Sequence, residues 1–340
     1  HHVLIDGVSM ALRFIHSIAN RLRRAAANDF VRDAAKLISG TVGGRLIALA
    51  ALPIATRLYS PDDFATLATY LSVVSIIAVV ACLRLDIAIP LAETESDAAS
   101  LLVLALLSAL TFGFALLLLS LAVPNSIADA LRRPELASYL WLIPVGVVMS
   151  GSYSALQYWA TRARRFGSIA RTRITQALLG VGALLGLGWA GVAPLGLLVG
   201  NMISSSAGGL RLALEAGGRD RGLLAAVSWS GLRASLVRNR RYPTFSAPEA
   251  LANTAGIHLP VILIAGFAGA EAGFLLLATQ IMAAPMALLG TSVAQVYMSR
   301  AQQEMAAGRL ALFTMQIVRR LLQIGVGPLI LAGILAPFLF

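Results

Sequence analysis

Cysteine is all but absent from this chain. Cys82 is the only one in 340 residues, so no intrachain disulfide and no thiolate metal cluster can be built from it. Histidine is almost as scarce: of the four, His1 and His2 open the sequence, His16 lies in a basic stretch and His258 in an apolar run. No HExxH or other ligand spacing links them, so no metal and no cofactor is expected. Phosphate-loop chemistry is excluded in the same way, because no GxxxxGK[ST] segment occurs. Charge is the largest deficit, with 13% charged residues against 58% hydrophobic ones and a mean hydropathy of +0.80. Soluble chains carry about 25% charged residues. The composition is that of an all-α polytopic membrane protein, since only helices and closed barrels satisfy their backbone in lipid.

What charge there is has one dominant sign. The net charge of +11 would suggest nucleic acid in a soluble protein, but the basic residues sit between apolar runs without aromatic interleaving. Nucleic-acid binding is therefore not expected. The first 36 residues carry Arg13, Arg21, Arg23, Arg24, Arg32 and Lys36 without a compact apolar core and cleavage site, so they do not read as a secretory signal. From Met10 to Ala27, Leu12, Ile15, Ile18 and Leu22 fall near one helical face ringed by arginines. This reads as an amphipathic helix on the inner leaflet or, more plainly, as a solvated basic tail. The chain starts at His1 without an initiator methionine and stops at Phe340 inside an apolar run, so we expect a piece of a longer protein.

Nine apolar runs follow, each bounded by charge or by Gly and Pro. They are Leu37 to Thr56, Phe64 to Leu83, Ala98 to Val123, Leu136 to Ala160, Ile169 to Trp189, Val192 to Leu214, Pro248 to Phe267, Ala270 to Tyr297 and Leu321 to Phe340. If the N-terminus is cytoplasmic, 23 basic residues fall on the inner side and three, Arg57, Arg132 and Arg133, on the outer side. Such a bias is the positive-inside signature and sets the expected orientation. The long segment Arg211 to Arg241 is then cytoplasmic, and Leu224, Val227, Leu232 and Leu236 predict an amphipathic helix within it. The expected organisation is a basic N-terminal segment (1–36), six helices (37–214), a linker (215–242) and three further helices (243–340).

One charge lies near the middle of an apolar run. Arg45 sits within Leu37 to Thr56, about 20 residues that span roughly 30 Å as a helix. Placing an arginine there costs about 2.5–3.5 kcal/mol on insertion scales, so it is expected to face a wet cavity or a partner. Either it serves function, or it pairs with a carboxylate or carbonyls to hold helices together. Gly40, Gly43, Gly44 and Pro53 in the same run permit close packing or a hinge. Arg84 and Asp86 at the inner end of the second run are expected to pair, or else to form an inner gate. The outer pair Asp62 and Asp63 follows Pro61 and reads as a turn opening a helix rather than as an acid and base.

Three ordered blocks carry a resemblance: TRLYSPDDFATLATY, LRLDIAIPLAETESDAA, and the stretch from RYPTFSAPEALANTAGIHLP to SVAQVYMSRAQQE. They resemble the Wzx-type oligosaccharide (O-antigen or polysaccharide) flippases, the polysaccharide transporter branch of the MOP exporter superfamily. Ala65 stands where that family usually has Gly. The resemblance implies a two-lobed helical bundle of the MOP type with alternating access, its second lobe apparently truncated after three of six helices. The first and seventh runs, each followed by a tight acidic turn and another helix, are expected to begin a parallel repeat. Implied cargo is an undecaprenyl-diphosphate-linked oligosaccharide moved to the outer leaflet of the bacterial inner membrane. Implied partners are the lipid bilayer, a polysaccharide polymerase and a chain-length regulator.

A diphosphate needs fixed positive charge, and the guanidinium fork matches phosphate oxygens. Arg45 lies 12 residues before Arg57, about 18 Å along a helix, so the two would form a ladder toward the outer mouth with Arg84 at the inner end. Among polar residues within the runs (Gln157, Gln176, Asn201, Asn253, His258, Gln280, Gln295), Asn253 and Gln280 are the expected glycan contacts. Two other readings stand beside this one: a multidrug exporter of the same superfamily, which would favour buried carboxylates, and a membrane glycosyltransferase or polymerase, for which only Asp62 and Asp63 offer an outer acid pair.

Overall fold

The computed structural model describes residues 29–280 together with positions 312, 314, 315, 318 and 319, with side chains from Ser39 onward. The expected N-terminal amphipathic helix, the ninth apolar run and most of the eighth lie outside the described residues. Within them all regular structure is helical. Helix α1 (Asp29–Leu58) ends with Arg57 in its last turn, where a cation complements the helix dipole. The turn RLYSPDDF then starts α2 (Pro61–Ala81) through a capping box. Asp63 N donates to Ser60 Oγ at 3.2 Å, while the Asp63 carboxylate accepts from Ser60 N at 2.8 Å, with Pro61 at the first helical position. This is the turn reading of Asp62 and Asp63, and the reason the chain needs S-P-D-D there.

Past α2, Leu83 and Arg84 turn the chain with φ of 51° and 58°, and a 3-10 segment (Asp86–Leu91) leads to α3 (Glu95–Ala122), capped by Thr94. Short α4 (Pro124–Ala130) and a second 3-10 segment (Pro134–Tyr139) precede α5 (Leu142–Arg162) and α6 (Phe166–Trp189). The fourth apolar run therefore becomes one long helix only from Leu142, its first residues being spent in the Pro134 turn. Next come α7 (Leu195–Ser206), α8 (Gly208–Arg219), α9 (Arg221–Ala225), α10 (Trp229–Arg238), a π turn (Tyr242–Ser246) and α11 (Ala247–Ala268). Residues 271–280 form α12.

Among the described residues five stretches are long and apolar enough to cross a membrane: Ser39–Leu58, Pro61–Ala81, Glu95–Ala122, Leu195–Arg219 and Tyr242–Ala268. Helices α5 and α6 match them in length at 21 and 24 residues. They fall short in apolarity because they carry Tyr153, Gln157, Arg171, Arg173 and Gln176. The turn between α5 and α6 is only 163–165, and Arg171 and Arg173 ride inside α6. One expectation is corrected here. The linker is not one amphipathic helix, since Ser228 caps α10 by accepting from Gly231 N at 3.1 Å, so Leu224 and Leu232 belong to different helices.

Small residues set the closest helix contacts. A Cβ on Gly40 of α1 would stand 2.6 Å from the Cα of Ala170 in α6, and one on Gly44 would stand 3.1 Å from the Arg173 carbonyl. On the other side of α6, Gly180 and Gly200 of α7 approach as tightly. This is how helices associate in lipid, where apolar area offers no drive and backbone approach does. Tyr70 anchors α2 to α5 by donating to the Leu142 carbonyl at 3.3 Å, and α2 also packs along α11.

Segments expected on one side of the bilayer touch one another. At the expected outer end, Arg133 Nη1 donates to Asp62 Oδ1 at 2.6 Å and its Nε to the Ala265 carbonyl at 3.1 Å, while the Arg132 guanidinium lies 3.9 Å over the Phe267 ring. At the expected inner end Arg162 holds Glu95 at 3.1 Å, Arg165 holds Asp220 at 2.6 Å, and Arg238 lies 3.3 Å from Asp97. Burial alone would raise the Asp220 pKa. Hydrogen bonds from Arg165 and Trp159, with the charges of Arg165 and Arg219, outweigh it and hold the carboxyl below its ordinary value.

Candidate functional site

Helix α1 presents Arg45 to a half-open cavity of about 410 Å³ lined by α1, α2, α6, α7 and α12. Its walls are mostly apolar, including Leu49, Leu52, Leu67, Leu184 and Leu197. The polar groups are few: Arg45, Asn201, Ser204, Thr279 and Gln280. Apolar walls with a few convergent polar groups, at a volume inside the roughly 300–1,000 Å³ range, are the features that ligand pockets share. Among the described residues no carboxylate lines it. Among the described residues nothing forms an ion pair or hydrogen bond with Arg45, whose side chain is exposed to the cavity rather than tucked against a helix.

The five candidate residues separate accordingly. Arg45 and Gln280 come together in the cavity, although 235 positions separate them in sequence. Arg57 is exposed in the last turn of α1, and Asn253 is exposed on α11; neither lines the cavity. Arg84 sits half-buried in the turn after α2 with its Nε out of contact with solvent and without a partner. The expected Arg84–Asp86 pair is not made: Asp86, 6% exposed, instead accepts from Ser154 Oγ at 2.7 Å. The left-handed backbone at Arg84 carries it away from the residue two positions on.

Asn201 was named among the polar residues of the runs but not singled out as a glycan contact, and the other groups here were not anticipated as site members. Asn201 and Ser204 share a face of α7 at helical spacing and both line the cavity, a pairing the i, i+3 offset would have suggested. Thr279, next to Gln280, joins them. Arg133 was read only as an outer charge, yet it is 4% exposed and bridges α2 to α11. Arg173 is likewise half-buried, donating to Gln157 Oε1 at 3.2 Å while its Nε has no partner.

These features define a multi-pass helical membrane protein with a cavity among its helices that a few polar groups help to line. More particularly, the chain belongs to the family described as polysaccharide biosynthesis protein, which matches residues 54–330. Arg57, Arg84, Asn253 and Gln280 lie within the matched stretch and Arg45 precedes it. No curated protein and no solved structure matches the chain.

Proposed function

We propose that the protein is a flippase that moves a polyprenyl-diphosphate-linked oligosaccharide from the inner to the outer leaflet of the bacterial inner membrane, with its N-terminus cytoplasmic. The observation that supports this most is Arg45: a permanent cation in a spanning helix, facing a cavity with amide and hydroxyl groups and no acidic partner among the described residues. Arg45 takes the diphosphate, Gln280 and Asn201 hydrogen-bond the adjoining sugar, and the prenyl tail stays in lipid. Arg57 and Arg84 meet the head group at the outer and inner ends, and Asn253 contacts the glycan in another state of the cycle. The cargo arrives from glycan assembly on the inner face and is consumed by a polymerase and chain-length regulator outside.

No bond is made or broken in such a step. An inside-negative potential favours outward movement of an anion by about 2.3 kcal/mol per charge per 100 mV, so a diphosphate ester of roughly two charges gains about 4–5 kcal/mol over the whole field. The test is surface-polysaccharide export in a strain lacking the native gene. Arg45→Ala, at equal protein level, is expected to abolish export and Arg45→Lys to retain part of it, because the point charge survives without the fork. Full export by Arg45→Ala would remove the proposal.

A further inference from the structure

Helix α10 offers a second site, at the opposite end of the molecule from the capping turn of α2. One side of it is fixed to the first turns of α3. Leu232 and Ser235 are 8% and 3% exposed, Ser235 Oγ donates to the Asp97 carboxylate, and Arg238 reaches the same carboxylate at 3.3 Å. A Cβ on Gly231 would lie 3.5 Å from Ser100 Oγ. Glu95, Asp97 and Ser100 mark where a spanning helix begins, so α10 is held level with the membrane surface.

The other side is bare and mixed in character. Trp229, Arg233 and Val237 recur every fourth residue and therefore form one stripe. Trp229 is 80% and Val237 60% exposed. With Ser230, Ala234 and Arg238 they make up one open face of α10. Among the described residues no carboxylate belongs to this face and Arg233 has no partner. Water is a poor neighbour for an indole and an isopropyl group side by side. A membrane–water interface suits both, since Trp concentrates there and arginine lays its stem on apolar surface while its head meets phosphate.

We propose that this face binds the head group of an anionic phospholipid from the leaflet it faces. The phosphate sits on Arg233, and Trp229 and Val237 cover the glycerol and first acyl carbons. The site is separate from the Arg45 cavity and does not depend on what that cavity carries. It would hold the linker between the two sets of helices against the bilayer, in proportion to the anionic lipid available.

The experiment uses the full chain in nanodiscs of phosphatidylcholine with and without phosphatidylglycerol. Native mass spectrometry of the released protein is expected to show retained phosphatidylglycerol. Arg233→Gln should lower that retention about fivefold, the effect of losing one interfacial charge, and Arg233→Lys should keep most of it. In parallel, a fluorophore on Val237→Cys in a Cys82→Ser background should be quenched by brominated lipid more than by aqueous iodide. Unchanged retention in Arg233→Gln, or a label quenched by iodide alone, overturns the proposal. Should Arg233→Gln fail to fold, the label measurement decides by itself.

Discussion

Two glycines three residues apart on α1 should respond to the same substitution in opposite directions. At Gly40 an added methyl meets backbone: Ala170 Cα at 2.6 Å and its carbonyl oxygen at 2.7 Å. Carbon atoms pack comfortably at about 3.5–4.0 Å, so α1 and α6 would have to part by about 0.9 Å, and backbone cannot rotate away as a side chain can. Overpacking of this kind costs about 1–3 kcal/mol, against which the gain in helix propensity on replacing Gly is about 1 kcal/mol. Gly40→Ala is thus expected to destabilise by up to about 2 kcal/mol. At Gly43 the nearest atom is the Ile174 side chain at 3.8 Å, an ordinary contact, so Gly43→Ala keeps the propensity gain and should be neutral or stabilising by up to about 1 kcal/mol. Cys82 supplies the assay: it is the chain's only thiol and is 2% exposed, so a thiol-reactive fluorophore in detergent reports thermal unfolding. Equal shifts for the two variants, or a reversed order, would refute the α1–α6 packing that places Arg45.

Other expectations use the same readout. Asp62→Asn leaves the Arg133 guanidinium, 5% exposed, without its acid, whereas Asp62 itself is 53% exposed. The loss should fall between the roughly 0–1 kcal/mol of surface pairs and the roughly 3–5 kcal/mol of broken buried ones, about 2 kcal/mol; an unchanged midpoint would contradict the clamp. Asp220 has a lowered folded pKa, so its contribution is complete above the ordinary carboxyl value of 3.8 and is lost as pH falls through the folded value. The midpoint difference between wild type and Asp220→Asn should therefore shrink on acidification below about pH 4; a constant difference would show that Asp220 is not linked to folding.

The spanning helices were legible because the hydrocarbon thickness sets a length that apolar runs must meet, and Ser39–Leu58 or Glu95–Ala122 show it openly. The turn after α1 was legible too, since Ser60, Pro61 and Asp63 act within one turn. Which helices would meet was not: in lipid the faces of α2 and α11 are apolar all round, so periodicity does not tell packing faces from lipid-facing ones. Periodicity alone therefore did not join Arg45 to Gln280, which were expected in one site as diphosphate and glycan contacts, whereas Asn201 and Ser204 shared a visible face. Arg133 was misread for another reason. Near helix ends arginines usually report sidedness, and a guanidinium turned inward leaves the same letter in the sequence as one turned to water. The linker was predicted continuous because its leucines kept period; Ser228 capped a new helix instead.

The central claim is that position 45 looks onto a wet chamber, and thiol chemistry can ask this directly. In a Cys82→Ser background, Arg45→Cys in proteoliposomes is expected to react with a charged, water-soluble methanethiosulfonate reagent, while Ile54→Cys, 52% exposed on the same helix and outside the cavity lining, reacts only with a lipid-partitioning one. A cysteine at 45 that ignores the charged reagent and behaves as position 54 does would contradict the account.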